Sequence, residues 1–254
     1  MMDVIVLTIF PEMVEPYFSY GMIRKAHEDG FIRVSAMNIR DYAQGKHRVT
    51  DDKPYGGGCG MVMKPEPLAA AIDSALQKSP GAKVVHMTPQ GRPFNQAIAQ
   101  ELSLCDGLIF LCGRYEGIDE RICQNYIDDE ISIGDYVLTG GELGALVVAD
   151  AVIRLIPGVL GGDDSAEKDS FAHGLLEHAQ YTRPCEFDSM RVPDVLLSGN
   201  HALIDKWRLE TSLIRTFLKR PDLLGIRSFS VEEKKILKNW YLKLEHIIQG
   251  DGQK

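Results

Sequence analysis

Three loops between residues 88 and 141 carry the residue types from which a ligand cradle is built. Ala82-Lys83-Val84-Val85-His86-Met87 leads into Thr88-Pro89-Gln90-Gly91. Leu108-Ile109-Phe110-Leu111-Cys112 leads into Gly113-Arg114-Tyr115-Glu116-Gly117, and Glu130-Ile131-Ser132-Ile133 into Gly134-Asp135-Tyr136-Val137-Leu138-Thr139-Gly140-Gly141. In an open α/β sheet, ligands bind outside the carboxyl ends of parallel strands, where glycine lets backbone amides and carbonyls approach closely. One such loop reads as an ordinary turn. Three in succession, carrying polar and aromatic residues, read as one small-molecule site, with Gly56-Gly57-Gly58-Cys59-Gly60 as a fourth glycine segment of the same cradle. Phosphate-loop chemistry finds no support: G-x-x-x-x-G-K-[ST] is absent, and Met61 and Met63 break the G-x-G-x-x-G spacing. H-E-x-x-H, G-x-S-x-G and kinase signatures are absent as well. The ligand is therefore one held by backbone groups and aromatic edges, with few obligate charges.

The charged candidates are fewer and more ambiguous. Arg154 interrupts an apolar helix beginning near Leu146 and would need an anionic partner if buried. Asp169 shares a polar loop with Asp163, Asp164 and Glu167, so its type and position fit a loop or cap carboxylate as well as a base. Glu116 is equally readable as an exposed turn residue, a contact to a base edge or a divalent-ion ligand. The net charge of −8 is uneven: residues 1–182 hold 15 basic against 26 acidic residues, and residues 183–254 hold 13 against 10. An anionic polymer settles more easily on the latter part. There Arg208, Arg215 and Lys219 share one helical face, opposite Leu203, Trp207, Ile214, Phe217 and Leu218. Such a stripe is also what a solvated helix face looks like.

These residues must be positioned by alternating elements. Strands are expected over 3–10, 31–37, 82–87, 107–112 and 129–133, and helices over 12–28, 65–78, 94–104, 117–125 and 142–156. That alternation predicts an α/β fold with a helix-covered parallel sheet. The run from Pro157 to Ser165 breaks the pattern. It divides a domain over 1–160 from a helical one over 173–254, with a linker over 161–172. Ser230 and Glu233 form a capping box ahead of Ile236, Leu237, Trp240, Tyr241, Leu244, Ile247 and Ile248 at helical period. No apolar stretch reaches membrane-spanning length and Met1-Met2-Asp3 has no basic leader, so a cytoplasmic protein without membrane partners is expected. The five cysteines form no C-x-x-C pair and suggest neither a disulfide framework nor a zinc site.

Longer motifs narrow the reading. Pro54-Tyr55-Gly56-Gly57-Gly58, the run from Leu111 to Arg121, Ser132-Ile133-Gly134-Asp135-Tyr136-Val137-Leu138 with Gly140-Gly141-Glu142, and Leu197-Ser198-Gly199-Asn200-His201 resemble the bacterial tRNA (guanine-N1)-methyltransferases, the TrmD family. The resemblance runs from Ile9-Phe10-Pro11-Glu12-Met13 through Trp207-Arg208. Cys59 and Gly144 depart from it, standing where the family commonly has Pro, and bear on loop order.

The resemblance implies a SPOUT methyltransferase: a parallel sheet with a trefoil knot at the cofactor site, a helical C-terminal domain that grips tRNA, and a homodimer with the active site at the subunit interface. The implied reaction moves the methyl group of S-adenosylmethionine to N1 of the guanosine just 3′ of the anticodon. It places the base at Asp169 and an assisting cation at Arg154. A magnesium ion is the alternative holder of the charge. Cofactor contacts are expected from Pro89, Gly113, Glu116, Gly117, Ile133, Tyr136, Leu138, Gly140 and Gly141. For tRNA they are expected from His47 and Arg48 beside Lys46, from Asp51, from Ser198, Asn200 and His201, and from Arg208 and Arg215. Two alternatives stand beside this reading: a related methyltransferase acting on another RNA such as rRNA, and a non-catalytic RNA-binding protein.

Overall fold

Burial on both sides of the apolar runs decides the architecture. In a computed structural model, which describes residues 1–161, 169–225 and 227–250, the strands are β1 (Met2–Thr8), β2 (Ile32–Asn38), β3 (Asp51–Asp52), β4 (Val62–Met63), β5 (Lys83–Pro93), β6 (Gly107–Cys112), β7 (Asp129–Ser132), β8 (Glu186–Phe187) and β9 (Met190–Arg191). Five of them form one all-parallel sheet in the order β2-β1-β6-β5-β7. The helices are α1 (Glu15–Phe18), α2 (Gly21–Glu28), α3 (Pro65–Lys78), α4 (Gln96–Ser103), α5 (Glu120–Tyr126), α6 (Glu142–Ile153), α7 (Asp194–Leu197), α8 (His201–Lys219), α9 (Asp222–Gly225) and α10 (Val231–Gly250).

Successive residues of a strand point to opposite faces, and a sheet covered on both sides needs apolar residues at both parities. Val4 and Val6 of β1 pack with Leu108 and Phe110 of β6 into one cluster, closed by α2, α4 and α6. Ile5 and Leu7 pack with Ile109 and Leu111 into the other, closed by α3 and α5. The strands read as continuous apolar runs for that reason.

Two elements depart from the sequence expectation. The helix expected over 12–28 is a 3-10 turn at Pro11–Met13 followed by α1 and α2, which are separated where Tyr20 is extended and Gly21 adopts φ +60°. The strand expected over 82–87 continues to Pro93, so Thr88-Pro89-Gln90-Gly91 is an irregularity within β5 and not a free loop. The register with β7 shifts between Met87 and Arg92, and Pro89 is tolerated there because it sits where the ladder is interrupted.

The chain divides into two compact units, 1–166 and 167–254. The division falls within 161–172, of which residues 162–168, including Asp163, Asp164 and Glu167, lie outside the described residues. The second unit has a small core of Leu175, Leu213 and Ile236, with Leu209, Leu224, Phe229 and Trp240 packed against it. Its helix starts are chemically specified. The Asn200 side chain accepts from the Leu203 amide at the start of α8. Ser230 and Glu233 exchange side chain-to-backbone bonds of 2.6 and 3.1 Å at the start of α10. The α8 faces differ from expectation: Ile204, Leu213 and Thr216 are buried, whereas Leu203, Ile214, Phe217 and Leu218 are exposed. A core this small covers only one strip of the helix.

Candidate active site

Adjacency of β6, β5 and β7 sets their carboxyl ends side by side. A cavity of about 330 Å³ opens there, within the range typical of small-molecule sites. Pro89, Gly113, Glu116, Gly117, Ile133, Tyr136, Leu138, Gly140 and Gly141 all line it. The fourth glycine segment does not: residues 56–60 are absent from the lining, and Gly60 instead backs onto the Glu116 side chain.

The loops around the cavity are tied to one another. Gly141 donates to the Gly113 carbonyl at 3.1 Å, and Arg114 and Gly140 form a bridge. Arg114 reaches inward to Glu142, the first residue of α6, at 3.0 Å through both Nε and Nη2. Glu142 is 1% exposed and also accepts from the Thr8 hydroxyl at 2.7 Å, while the guanidinium lies 4.7 Å over the Phe10 ring. This charge pair is buried, shared and geometrically fixed. It pins the loop after β6 and the start of α6 to the end of β1. On the other side, Glu116, Gly117 and Asp119 exchange backbone bonds with Met61 and Met63.

Glycine is required by close approach at two points. A Cβ on Gly91 would overlap the Glu130 and Ile131 backbone. One on Gly141 would lie 2.9 Å from Cys112 Cα and 3.0 Å from Met87 Cβ. Gly144 stands in the first turn of α6, a position where proline is also tolerated, so this departure leaves the helix intact.

Deeper in the cavity, His86 on β5 lies 3.1 Å from Glu130 on β7, and Cys123 on α5 lies 4.0 Å from the same imidazole nitrogen, Nδ1. Burial pulls the His86 pKa below its usual value, against the opposing pull of Glu130. Burial first, and then the charges of Glu130 and Glu120, push the Cys123 thiol up to about 11. Both groups are thus neutral at physiological pH.

The catalytic candidates lie one in each unit. Arg154 is the half-buried C-cap of α6, and does not interrupt the helix interior as expected. Its amide donates to the Asp150 carbonyl at 3.3 Å. Asp169 is half-buried at the head of a tight segment in which Ala172 donates to its carbonyl and Phe171 adopts φ +74°. Of the tRNA candidates, Lys46, His47 and Arg48 are exposed, and Arg48 pairs with Asp41 at 2.6 Å. Asp51 sits in the two-residue ladder of β3 with β4. Ser198 donates to the Val195 carbonyl at 2.7 Å, Asn200 caps α8, and His201 is exposed at its first turn. Arg208 pairs with Asp205 at 3.1 Å, and Arg215 is half-buried, so the basic stripe is not uniformly open to solvent.

Comparison with known proteins now bears on this geometry. The family described as tRNA (Guanine-1)-methyltransferase TrmD matches residues 2–226. The chain belongs to the TrmD family. It is 53% identical over 251 residues to the tRNA (guanine-N(1)-)-methyltransferase of Desulfatibacillum aliphaticivorans, covering 99% of this chain and 96% of that one. Against the protein of the same name from Staphylococcus carnosus the identity is 54% over 239 residues, covering 94% and 97%. For Syntrophotalea carbinolica it is 55% over 232 residues, covering 91% and 94%. Membership accounts for the glycine-rich segments recognised in the sequence. It leaves the His86, Cys123 and Glu130 cluster unaccounted for, since none of these residues lies in the motifs that carry the TrmD resemblance. Spacing along the chain gives no sign of that cluster, since the three residues follow no C-x-x-C pattern and meet only through strand pairing and the packing of α5. One consequence of the TrmD-type loops is testable: Gly141→Ala should cost about 1–3 kcal/mol of stability by overpacking and weaken ligand binding in the cavity. Denaturant titration and calorimetry check it; an unchanged unfolding midpoint would show that the loop yields freely.

Proposed function

We propose that this protein transfers a methyl group from S-adenosylmethionine to N1 of the guanosine 3′ of the anticodon, nucleotide 37 of tRNA. The observation that carries the reading is that all nine residues expected to hold the cofactor line one cavity at the strand ends. The fit is chemical as well as spatial. Pro89, Ile118, Ile133 and Leu138 offer apolar contact to a flat base, while glycine-bearing segments offer backbone donors and acceptors to its edges.

When bound, the cofactor supplies an electrophilic methyl group on a sulfonium. The protein must supply the rest. Guanine N1 carries a proton at neutral pH, and its lone pair is tied into the ring amide, so a base has to take that proton. Asp169 is assigned this task, and Arg154 is assigned to hold the negative charge that develops towards O6. Glu116, exposed at the cavity rim, is left to cofactor or base-edge contact. Among the described residues no group of metal ligands surrounds it.

The exposed groups Lys46, His47 and Arg48 of the first unit, and His201, Arg208 and Lys219 of the second with the half-buried Arg215 beside them, are assigned to tRNA. Charge-reversing α8 tests this. Arg208→Glu with Arg215→Glu should weaken tRNA binding and flatten its salt dependence, because fewer counterions are released on contact. An unchanged slope in filter-binding titrations would return these side chains to a solvated face.

A homodimer with a shared site, a trefoil knot around the cofactor and a cytoplasmic location complete the reading. Exposed apolar side chains support the dimer: Leu143 and Val147, one turn apart on α6, and Phe217 and Leu218 on α8. No helix among the described residues is long and apolar enough to cross a membrane. Mixed dimers of an Asp169→Asn chain and a Gly141→Val chain should recover one working site from two inactive parents. Verified heterodimers that stay inactive would reject the shared site.

The experiment that tests the function itself is calorimetric titration with S-adenosylmethionine, followed by mapping of methylated nucleosides after incubation with total RNA. Binding heat and N1-methylguanosine confined to the anticodon-adjacent nucleotide are expected. Methylation of rRNA, or RNA binding without cofactor heat, would replace the reading.

A further inference from the structure

We propose that His86, Cys123 and Glu130 form a zinc-binding site in the inner wall of the cavity. Strand pairing builds it. His86 and Glu130 are register partners on β5 and β7, and α5 carries Cys123 over them. Nδ1 of His86 is 3.1 Å from Oε1 of Glu130 and 4.0 Å from Sγ of Cys123, and one ligand atom from each residue lies within 4.8 Å of the other two. A tetrahedral zinc ion with bonds of about 2.0–2.3 Å holds its ligand atoms roughly 3.3–3.8 Å apart. Small side-chain rotations bring the trio to that geometry.

The donor types select the metal. Thiolate, imidazole and carboxylate form a mixed, borderline-soft set that suits zinc, whereas magnesium demands oxygen ligands. The thiolate and the carboxylate together balance a divalent charge, the thiol proton passing to solvent on coordination. Glu120, three residues before Cys123 on α5 and also in the cavity lining, adds further negative potential. All three ligands line the cavity, so the fourth coordination position faces its interior and is open to water or to a molecule held there. The site does not depend on the methyl-transfer reading. It uses residues to which that reading gives no role.

The test uses the metal-stripped full chain with cobalt and zinc as the probes. One cobalt ion per chain with a near-ultraviolet thiolate-to-metal charge-transfer band is expected, displaced by stoichiometric zinc. Cys123→Ser should abolish the band and lower zinc affinity by at least about tenfold. Glu130→Gln, at a partly exposed side chain, should lower the affinity while keeping the band, and circular dichroism verifies that both variants are folded. A cobalt spectrum without a thiolate band, or a folded Cys123→Ser chain that binds zinc as tightly as its parent, would overturn the site and leave the trio as a hydrogen-bonded tie between α5 and the sheet.

Discussion

Asp169→Asn is expected to reduce single-turnover methylation by about 10²–10⁴ while leaving S-adenosylmethionine affinity within about twofold of the parent. The amide keeps the size and shape of the carboxylate and removes its basicity. If Asp169 takes the N1 proton, the loss therefore falls on the chemical step and not on binding. Rapid-quench methylation of tRNA under saturating cofactor measures the rate, and calorimetry measures the affinity. Near-parental single-turnover rates would take the base role from Asp169 and leave it as a loop carboxylate. Parallel losses in both quantities would mean that the residue holds the backbone in place.

Glu142→Ala is expected to cost about 3–5 kcal/mol of folding free energy. Glu142 is 1% exposed and accepts from Arg114 and from Thr8. Its removal leaves a guanidinium with a 14% exposed side chain and no carboxylate partner, and removes the acceptor of a buried hydroxyl. The Arg114→Met, Glu142→Leu double variant should recover much of the loss, since replacing both partners removes the uncompensated charge. Urea denaturation of the three variants decides it. A loss below about 1 kcal/mol in Glu142→Ala would indicate that water reaches and screens Arg114.

The single and double variants should also differ in ligand binding. Arg114 spans from Glu142 to the Thr139 carbonyl at 3.3 Å, and so holds the wall that carries Leu138, Gly140 and Gly141. An apolar pair restores folding without that reach. The double variant should therefore fold well and still bind the cofactor poorly.

What the sequence determined by itself is local. Apolar residues at both parities over 107–112 require a strand buried on both faces, and that is how β6 lies. Ser230 and Glu233 specify a helix start through bonds spanning three residues. Glycines at 113, 117, 140 and 141 mark where backbone must approach something closely, and the ordered motifs around them identify the family. Each signal is carried by neighbours in the chain, and propensity and period report on such neighbours.

Tertiary structure alone decided which of those elements became neighbours. The order β2-β1-β6-β5-β7 sets three loops around one cavity, and no periodicity encodes that order. β5 continues to Pro93 because β7 resumes pairing with it at Arg92, overriding the local preference of Pro89 and Gly91 for a turn. Along α8, the face buried is the one that meets Leu175 and Ile236, not the face with the most apolar residues. His86, Cys123 and Glu130 are separated by 37 and 44 residues from the first to the others, yet their ligand atoms converge. The physical reason is common to all four cases. A side chain's direction from its own backbone follows from local dihedral angles, but its partner follows from strand register and helix packing, which are fixed only when distant segments compete for the same buried surface.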